Sequence, residues 1–224
     1  MAVILSLETS TSVCSAAIHD QGELVALREL HQPQSAASQL TVLVEDLFAN
    51  IGLRKSDIAA VAVSGGPGSY TGLRIGTATA KGICYALDRP LIALDSLHVL
   101  ASSASRTGDG RLLCPMIDAR RMEVYCCLLT EEMDIIEDTK PYVVEAASFS
   151  EALEGQKIAF LGNGSSKCRD IIQHPNAIFL ENIFPAASAM GKLAFRKFEQ
   201  QEFSDVRTFE PAYLKEFVAK TKKS

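Results

Sequence analysis

The first part of the chain contains short apolar runs, followed by longer segments in which apolar residues recur every three or four positions. The short runs at 3–7, 13–19 and 24–30 are typical of strands in a buried sheet. Polar residues 20–23 separate the last two runs, which predicts a hairpin turn between them. We therefore expect the chain to begin with three strands of one sheet.

Two amphipathic helices are predicted next. Apolar side chains recur at helical spacing over 35–51, and Gly52 stands where glycine commonly closes a helix. A short apolar strand at 58–63 separates this helix from a second one over 71–87. This alternation predicts an α/β protein in which helices flank mixed sheets.

A small polar segment at 105–110 predicts the boundary between two lobes, 1–106 and 107–224. We expect about the last 20 residues to pack back on the first lobe. The second lobe repeats the outline of the first without repeating its sequence. Its predicted elements are strands at 111–118, 123–130 and 157–161 and a long helix at 186–200.

A glycine-rich stretch, SGGPGSYTGLRIG at 64–76, joins the fourth strand to the second helix. Free N–H groups at a helix start commonly bind phosphate, but the spacing here fits neither known phosphate-binding motif. No two glycines stand five apart before Lys-Ser/Thr, as a P-loop requires. A dinucleotide fingerprint would need glycine at position 71, where the sequence has Thr71.

Small residues follow one another along one side of the second predicted helix. Gly72, Gly76 and Ala80 are each four positions apart, which leaves a stripe of minimal side-chain volume. Glycine inside a helix costs about 1 kcal/mol relative to alanine, so we expect another element to approach closely. That element is either a neighbouring helix of this chain or a helix of a second subunit.

Composition narrows the classes of function. Hydrophobic residues make up 47% of the 224 residues, and the formal net charge is −5. This charge argues against general attraction to nucleic acid, so we expect contact with RNA only through a partner. Four lysines form a local exception, expected to be a solvated segment: Lys215, Lys220, Lys222 and Lys223.

No basic leader precedes the first strand, and no apolar run approaches the roughly 20 residues of a membrane span. We therefore expect a cytoplasmic protein without membrane contact. The six cysteines form no CxxC pair, and we expect them to be reduced and structural. The four histidines stand singly, so no metal site is expected.

Small polar and acidic residues follow predicted strands in both lobes. Glu8 begins such a turn after the first strand, and Asp118 ends a strand of the second lobe. In two-lobed nucleotide enzymes such turns hold the phosphates and Mg²⁺, while a glycine turn such as 162–164 lies behind the adenosine. We therefore expect the two acidic turns to face a shared cleft.

Six short motifs, taken in order, resemble the bacterial TsaB (YeaZ) family. They are LETS at 7–10, the glycine-rich stretch at 64–76, IDAR and EVY within 117–125, GNG at 162–164 and PAYL at 211–214. They are spread over nearly the whole chain. The long glycine motif is the most specific of them.

The resemblance implies a two-lobed ASKHA fold, the fold of actin, Hsp70 and sugar kinases. It also implies a role in forming N6-threonylcarbamoyladenosine (t6A) at position 37 of tRNAs that read codons beginning with A. In that system a TsaD-type subunit is the catalyst and a TsaE-type ATPase assists. TsaB is a non-catalytic relative of TsaD and reaches tRNA through the complex. This sequence lacks the HxEGH motif that TsaD-type subunits carry.

The resemblance also implies a homodimer of the isolated chain through two helices of the first lobe. The predicted partner-binding residues are Ser35, Gln39, Leu40, Leu43, Tyr70, Gly72, Leu73, Gly76, Thr77 and Ala80. The predicted vestigial nucleotide cleft comprises Glu8, Thr9, Ser10, Asp118, Gly162 and Gly164. No catalytic residue, metal or cofactor of its own is expected, although ATP or ADP at an interface of the complex is compatible with this interpretation.

Two other functions remain open at this point. A nucleotide-dependent phosphotransferase of the same fold would use the paired acidic turns, but no general base for an incoming hydroxyl is obvious. A glycoprotease-like hydrolase would need an activated water or nucleophile, and the four histidines suggest neither. Strong ATP turnover that Glu8→Ala abolishes would favour the phosphotransferase.

Overall fold

The computed structural model describes residues 2–32, 36–49, 51–104 and 106–214. These residues form two five-stranded mixed sheets. The strands of the first sheet are β1 (Val3–Glu8), β2 (Cys14–Asp20), β3 (Glu23–Leu30), β4 (Ile58–Ser64) and β5 (Leu91–Leu94). Those of the second sheet are β6 (Leu112–Asp118), β7 (Glu123–Leu129), β8 (Ile135–Val143), β9 (Ile158–Leu161) and β10 (Ala177–Leu180).

Helices flank both sheets. They are α1 (Ala36–Ala49), α2 (Tyr70–Leu87), α3 (Ser96–Ser102), α4 (Ser150–Gly155) and α5 (Gly191–Glu199). Short 3-10 turns occur at Lys55–Asp57, Ser166–Cys168 and Ala187–Met190. The long helix predicted at 186–200 is therefore a 3-10 turn followed directly by α5.

The two sheets share one topology. The first has the order β3-β2-β1-β4-β5, and the second has β8-β7-β6-β9-β10, which is the same order shifted by five strands. In both, the central strand pairs antiparallel with the next strand and parallel with the fourth. This duplicated arrangement confirms the predicted α/β, two-lobed ASKHA fold class.

The hairpin between β2 and β3 follows from its turn residues. Gln21 and Gly22 both have positive φ, 52° and 85°, and Asp20 lies opposite Glu23 in the register. Positive φ at two central residues matches the right-handed twist of paired strands. The turn predicted from the polar residues is confirmed.

Successive residues of the first sheet point to opposite faces, and both faces are covered. Leu5 and Leu7 of β1 join a core with Leu40 and Leu47 of α1. Ile4 joins the core on the opposite face. Burial on both faces explains why β1 reads as a continuous apolar run.

Helix α3 lies between the two sheets. Its Val99 belongs to a core with the first sheet, whereas Leu97 and Leu100 belong to a core with the second. Asp95 caps this helix, and its Oδ2 accepts from Thr139 Oγ1 of β8 at 2.8 Å. The two lobes are therefore joined through a buried helix.

After the second sheet, the chain returns to the first one. Helix α5 contacts β1 and β5, and Ser204 N donates to Leu91 O at 2.8 Å. Phe209 packs into the core under α2. Ala212 N then donates to Gly65 O at 2.7 Å. We call residues 204–213 the closing segment.

Candidate functional site

The glycine-rich turn between β4 and α2 is held by its own lobe. Gly65 N donates to Leu94 O at 2.7 Å, and Gly66 O accepts from Ser96 N at 2.9 Å. The side chain of Ser69 caps α2. These backbone groups of the turn therefore form hydrogen bonds within their own lobe.

One side of α2 packs closely against the turn that follows β1. A Cβ atom on Gly72 would lie well inside 3.0 Å of Thr9 O, and one on Gly76 would also lie well inside 3.0 Å of Thr9 Oγ1. Thr9 Oγ1 itself donates to Gly72 O at 2.8 Å. Because only glycine permits this approach, a contact within the chain accounts for both residues.

This packing bears on the predicted partner-binding surface, which stays a prediction. Gly72 and Gly76 of the stripe pack against Thr9, with Val63 also beside Gly76, and Ala80 is buried in the core that includes Leu40 and Val44 of α1. Six predicted contact residues are buried in the first lobe: Leu40, Gly72, Leu73, Gly76, Thr77 and Ala80. Three others are partly exposed, namely Gln39, Leu43 and Tyr70, and Ser35 lies outside the described residues.

Another part of the α2 surface faces α1 across an apolar groove of about 300 Å³. A Cβ atom on Gly82 would meet nothing within 4 Å, so the described chain gives no packing reason for glycine there. Tyr85, further along the helix, is 86% exposed. We call this feature the α1–α2 groove, and its lining includes Thr41, Glu45, Phe48, Ala78, Gly82 and Ile83.

The turn after β1 encloses a carboxylate. Glu8 is fully buried, and its Oε1 accepts from Ser10 N at 2.6 Å while its Oε2 accepts from Ser64 Oγ. Burial raises the pKa of Glu8, and these hydrogen bonds oppose that effect in part. Thr9 is buried beside it. Glu8 therefore presents no exposed oxygen to a phosphate or a metal ion.

The equivalent turn of the second lobe is exposed and is held by a lysine. Lys167 Nζ forms an ion pair with Asp118 and donates to the backbone oxygens of Arg121 and Glu123, both at 2.7 Å. Asp118 N donates to Asn163 Oδ1 at 3.0 Å. The ammonium group thus neutralises the acid and fixes the turn.

The glycine turn at 162–164 packs on β6. A Cβ atom on Gly164 would lie 2.9 Å from the carbonyl carbon of Ile117. Gly162 has a φ of 95° and would bring a Cβ atom against Met116 O. Both glycines are therefore required by the packing of their own lobe.

These contacts show how residues of the predicted nucleotide cleft are held, and the cleft itself stays a prediction. Glu8, Thr9 and Ser10 are enclosed in the first lobe, and Asp118 is held by Lys167. The two acidic turns therefore differ in their surroundings: Glu8 is buried, whereas Asp118 is partly exposed and paired with Lys167.

The remaining predictions concern the cysteines, a metal site and membrane contact. All six cysteines are free thiols with buried side chains, as predicted. Among the described residues, no three His, Cys, Asp or Glu side chains are grouped to hold a metal ion. Within the same residues, no helix has the length and apolar character needed to span a bilayer.

Sequence reasoning missed the residues that line the α1–α2 groove. Gly82 itself was the available signal, because glycine in the interior of a helix costs about 1 kcal/mol relative to alanine. The sequence analysis names only Gly72, Gly76 and Ala80, because they are regularly spaced. Nor does the sequence indicate that Lys81 is tied to the closing segment, where its Nζ donates to Phe209 O at 3.0 Å.

Known proteins resemble the chain over nearly its full length. A family model described as "TsaD: tRNA N6-adenosine threonylcarbamoyltransferase" matches residues 32–223. The tRNA threonylcarbamoyladenosine biosynthesis protein TsaB of Escherichia coli K12 is 30% identical over 225 residues, which is 96% of each chain. The chain belongs to the TsaB (YeaZ) family. The resemblance seen in the motifs is thereby confirmed.

Further members of the TsaB family agree with this assignment. TsaB of Bacillus subtilis is 29% identical and covers 95% of this chain and 93% of its own. The solved structure of YeaZ from Pseudomonas aeruginosa is 28% identical, with a TM-score of 0.85 over 96% of this chain and 100% of its own. The arrangement of both lobes is therefore that of the family.

Proposed function

We propose that this TsaB-family chain is a non-catalytic scaffold that binds a TsaD-type catalytic subunit and supports formation of t6A in tRNA. The observation that carries the proposal is the α1–α2 groove. It is apolar and open, and Gly82 borders it without a packing partner in the described chain. A helical glycine that serves no internal contact is explained if another polypeptide approaches it.

The partner proposed for the groove is a TsaD-type subunit. The TsaD family model matches residues 32–223, so this chain and a TsaD-type subunit share a common pattern that includes α1 and α2. Two related folds that each carry this helix pair can meet through a pseudo-twofold contact. The same groove would join two copies of the chain when TsaD is absent. A TsaE-type ATPase and tRNA then join through the complex, in the cytoplasm.

The absence of catalysis by this chain is supported by where its reactive groups lie. Glu8 is enclosed, and the Ser6–His19 pair is equally buried. His19 Nδ1 is 3.1 Å from Ser6 Oγ, and its Nε2 is 3.3 Å from Ser188 O. A nucleophile needs access to substrate, so neither group favours a phosphotransferase or a peptidase. The chain is proposed to need no cofactor of its own, and ATP or ADP would be held only at an interface of the complex.

The test is to fill the groove with Gly82→Leu. We expect binding to a TsaD-type subunit to weaken at least about tenfold, or about 1.4 kcal/mol, in a calorimetric titration. Threonylcarbamoyl transfer to tRNA by the assembled complex should fall in parallel. The matched control is Gly155→Leu, since Gly155 is also exposed with nothing within 4 Å of an added Cβ atom.

Equal affinity of Gly82→Leu and wild type would overturn the proposed docking surface, provided that both variants melt like the wild type. Strong ATP turnover by the isolated chain, lost in Glu8→Ala, would instead favour a phosphotransferase.

A further inference from the structure

The hairpin turn between β6 and β7 carries two arginines in an unfavourable backbone conformation. Arg120 and Arg121 are both exposed and have positive φ, 70° and 50°. This left-handed conformation brings the Cβ atom close to the following carbonyl oxygen, so side chains other than glycine and asparagine rarely adopt it. The backbone therefore gives no reason for arginine at either position. We call residues 118–123 the arginine turn.

Lys167 holds the arginine turn in this conformation. Its ammonium group is paired with Asp118 and donates to Arg121 O and Glu123 O, both at 2.7 Å. The Asp118 carboxylate in turn accepts from Arg120 N at 3.0 Å. Backbone strain persists only where surrounding contacts impose it, and such sites are often functional. These contacts make Lys167 a positioning residue for the two arginines.

Both guanidinium groups are exposed to a ligand. Neither forms an ion pair with an acid among the residues that the structure describes. Of the acids in the turn itself, Asp118 is paired with Lys167 and Glu123 is only partly exposed. Within 118–123 no large apolar side chain is exposed that could form the core of a protein interface. Two exposed guanidinium groups instead match phosphate, which arginine binds through parallel N–H donors.

We propose that Arg120 and Arg121 bind backbone phosphates of RNA. The formal net charge of the chain is −5, so this contact is local and is not part of a general attraction to RNA. Phosphate contacts fix the position of a nucleic acid without reading its sequence, so the arginine turn would orient the RNA. That the RNA is tRNA rests on the proposed function. RNA binding itself does not.

The experiment measures fluorescence anisotropy of labelled tRNA with the purified full chain at several salt concentrations. Arg120→Asn with Arg121→Asn removes both charges, and asparagine tolerates positive φ, so the fold should be retained. We expect the affinity at low salt to fall at least about tenfold and the slope of log K against log salt to decrease by about 1.4–1.8, since each phosphate contact contributes roughly 0.7–0.9. Arg120→Lys with Arg121→Lys keeps the charges and should keep most of the slope.

The matched control is Arg54→Asn with Arg207→Asn. Their side chains are 82% and 90% exposed, and they lie in the first lobe and the closing segment. This control changes the net charge equally and should leave the slope nearly unchanged. The four lysines of 215–223 lie outside the described residues and stay unchanged in every variant. An unchanged slope in the double asparagine variant of the turn, or an equal decrease in the control, would overturn the proposal.

The role of Lys167 is tested by a double-mutant cycle. Lys167→Met should lower tRNA affinity in the wild type and cause no further loss in the double asparagine variant of the turn, because it acts only through the arginines. A loss in both backgrounds would show that Lys167 contacts phosphate itself and would overturn its positioning role.

A protein partner at the arginine turn would give a different result. Loss of TsaD binding in the double asparagine variant of the turn, with tRNA affinity intact, would overturn the RNA proposal. Failure of Gly82→Leu to weaken TsaD binding would affect the proposed scaffold role and leave this RNA measurement standing.

Discussion

The two sides of helix α2 carry glycine for different reasons. On one side Gly72 meets the backbone oxygen of Thr9, and on the other Gly82 borders the α1–α2 groove and meets nothing. Either glycine costs about 1 kcal/mol relative to alanine in a helix interior. The contact with Thr9 offsets that cost at Gly72. The described chain makes no such contact at Gly82. A partner subunit docked in the α1–α2 groove, as proposed above, would make it.

A small-residue stripe is therefore not in itself an interaction surface. The spacing of Gly72, Gly76 and Ala80 shows only that something approaches closely, and the approaching element is the turn after β1. That turn ends the central strand of the first sheet, so the stripe anchors α2 on the sheet. Once α2 is anchored, its other side is held in place to form the groove with α1.

The largest effect that this comparison predicts is that of Gly72→Ala. The added methyl group would clash with the backbone oxygen of Thr9. A change of side-chain rotamer cannot relieve this clash, so the turn itself would have to move. We expect the free energy of unfolding to fall by at least about 3 kcal/mol, measured by urea denaturation. Gly76→Ala should destabilise less, because there the nearest atom is the Thr9 hydroxyl oxygen, which can rotate.

A loss of less than about 1 kcal/mol in Gly72→Ala would show that the turn after β1 moves aside easily. The stripe would then be a loose contact, and the internal reason for its glycines would disappear.

The enclosed carboxylate in the same region gives the next prediction. Burial raises the folded-state pKa of Glu8 above 4.5. The folded state therefore holds the proton more tightly than the unfolded state. The stabilisation from this group is complete below pH 4.5 and is lost as pH rises through the folded pKa, with a slope approaching about 1.4 kcal/mol per pH unit.

Glu8→Gln should remove that slope, because the amide can accept from Ser10 N and donate to Ser64 Oγ without titrating. The measurement is urea denaturation of both proteins at a series of pH values above 4.5. Glu45→Gln, at an exposed carboxylate of α1, is the control for the substitution itself. Parallel pH curves for Glu8→Gln and wild type would mean that the carboxylate is not enclosed in solution.

The sequence predicts the parts of the fold whose patterns are local. Strands β1 to β4 and helices α1 and α2 appear close to their predicted bounds, because apolar periodicity and turn residues mark them clearly. Strands β5 and β10 have four residues each, too few to show a period. Strand β8, IIEDTKPYV, contains mixed charges and a proline, so its pattern does not indicate a strand.

The candidate site is less predictable because tertiary contacts decide it. Nothing in the sequence near Thr9 shows that it fits between Gly72 and Gly76, 63 and 67 positions away. Likewise, Lys167 neutralises Asp118 from 49 positions away. The sequence analysis names Thr9, Gly72, Gly76 and Asp118 but not Lys167, and what each of them contacts follows from the folded lobes.

The smallest predicted effect is the most discriminating one, since Gly82→Ala makes the same chemical change as Gly72→Ala on the same helix. We expect it to stabilise the protein by about 1 kcal/mol, because alanine favours the helix and its methyl group meets nothing. In a chain of this size that corresponds to a melting temperature raised by about 2–4 °C. One methyl group leaves most of the groove open, so TsaD binding should change far less than in Gly82→Leu. If Gly82→Ala instead lowers the melting temperature, glycine serves the fold on both sides of α2, and the reason for placing a partner in the groove is lost.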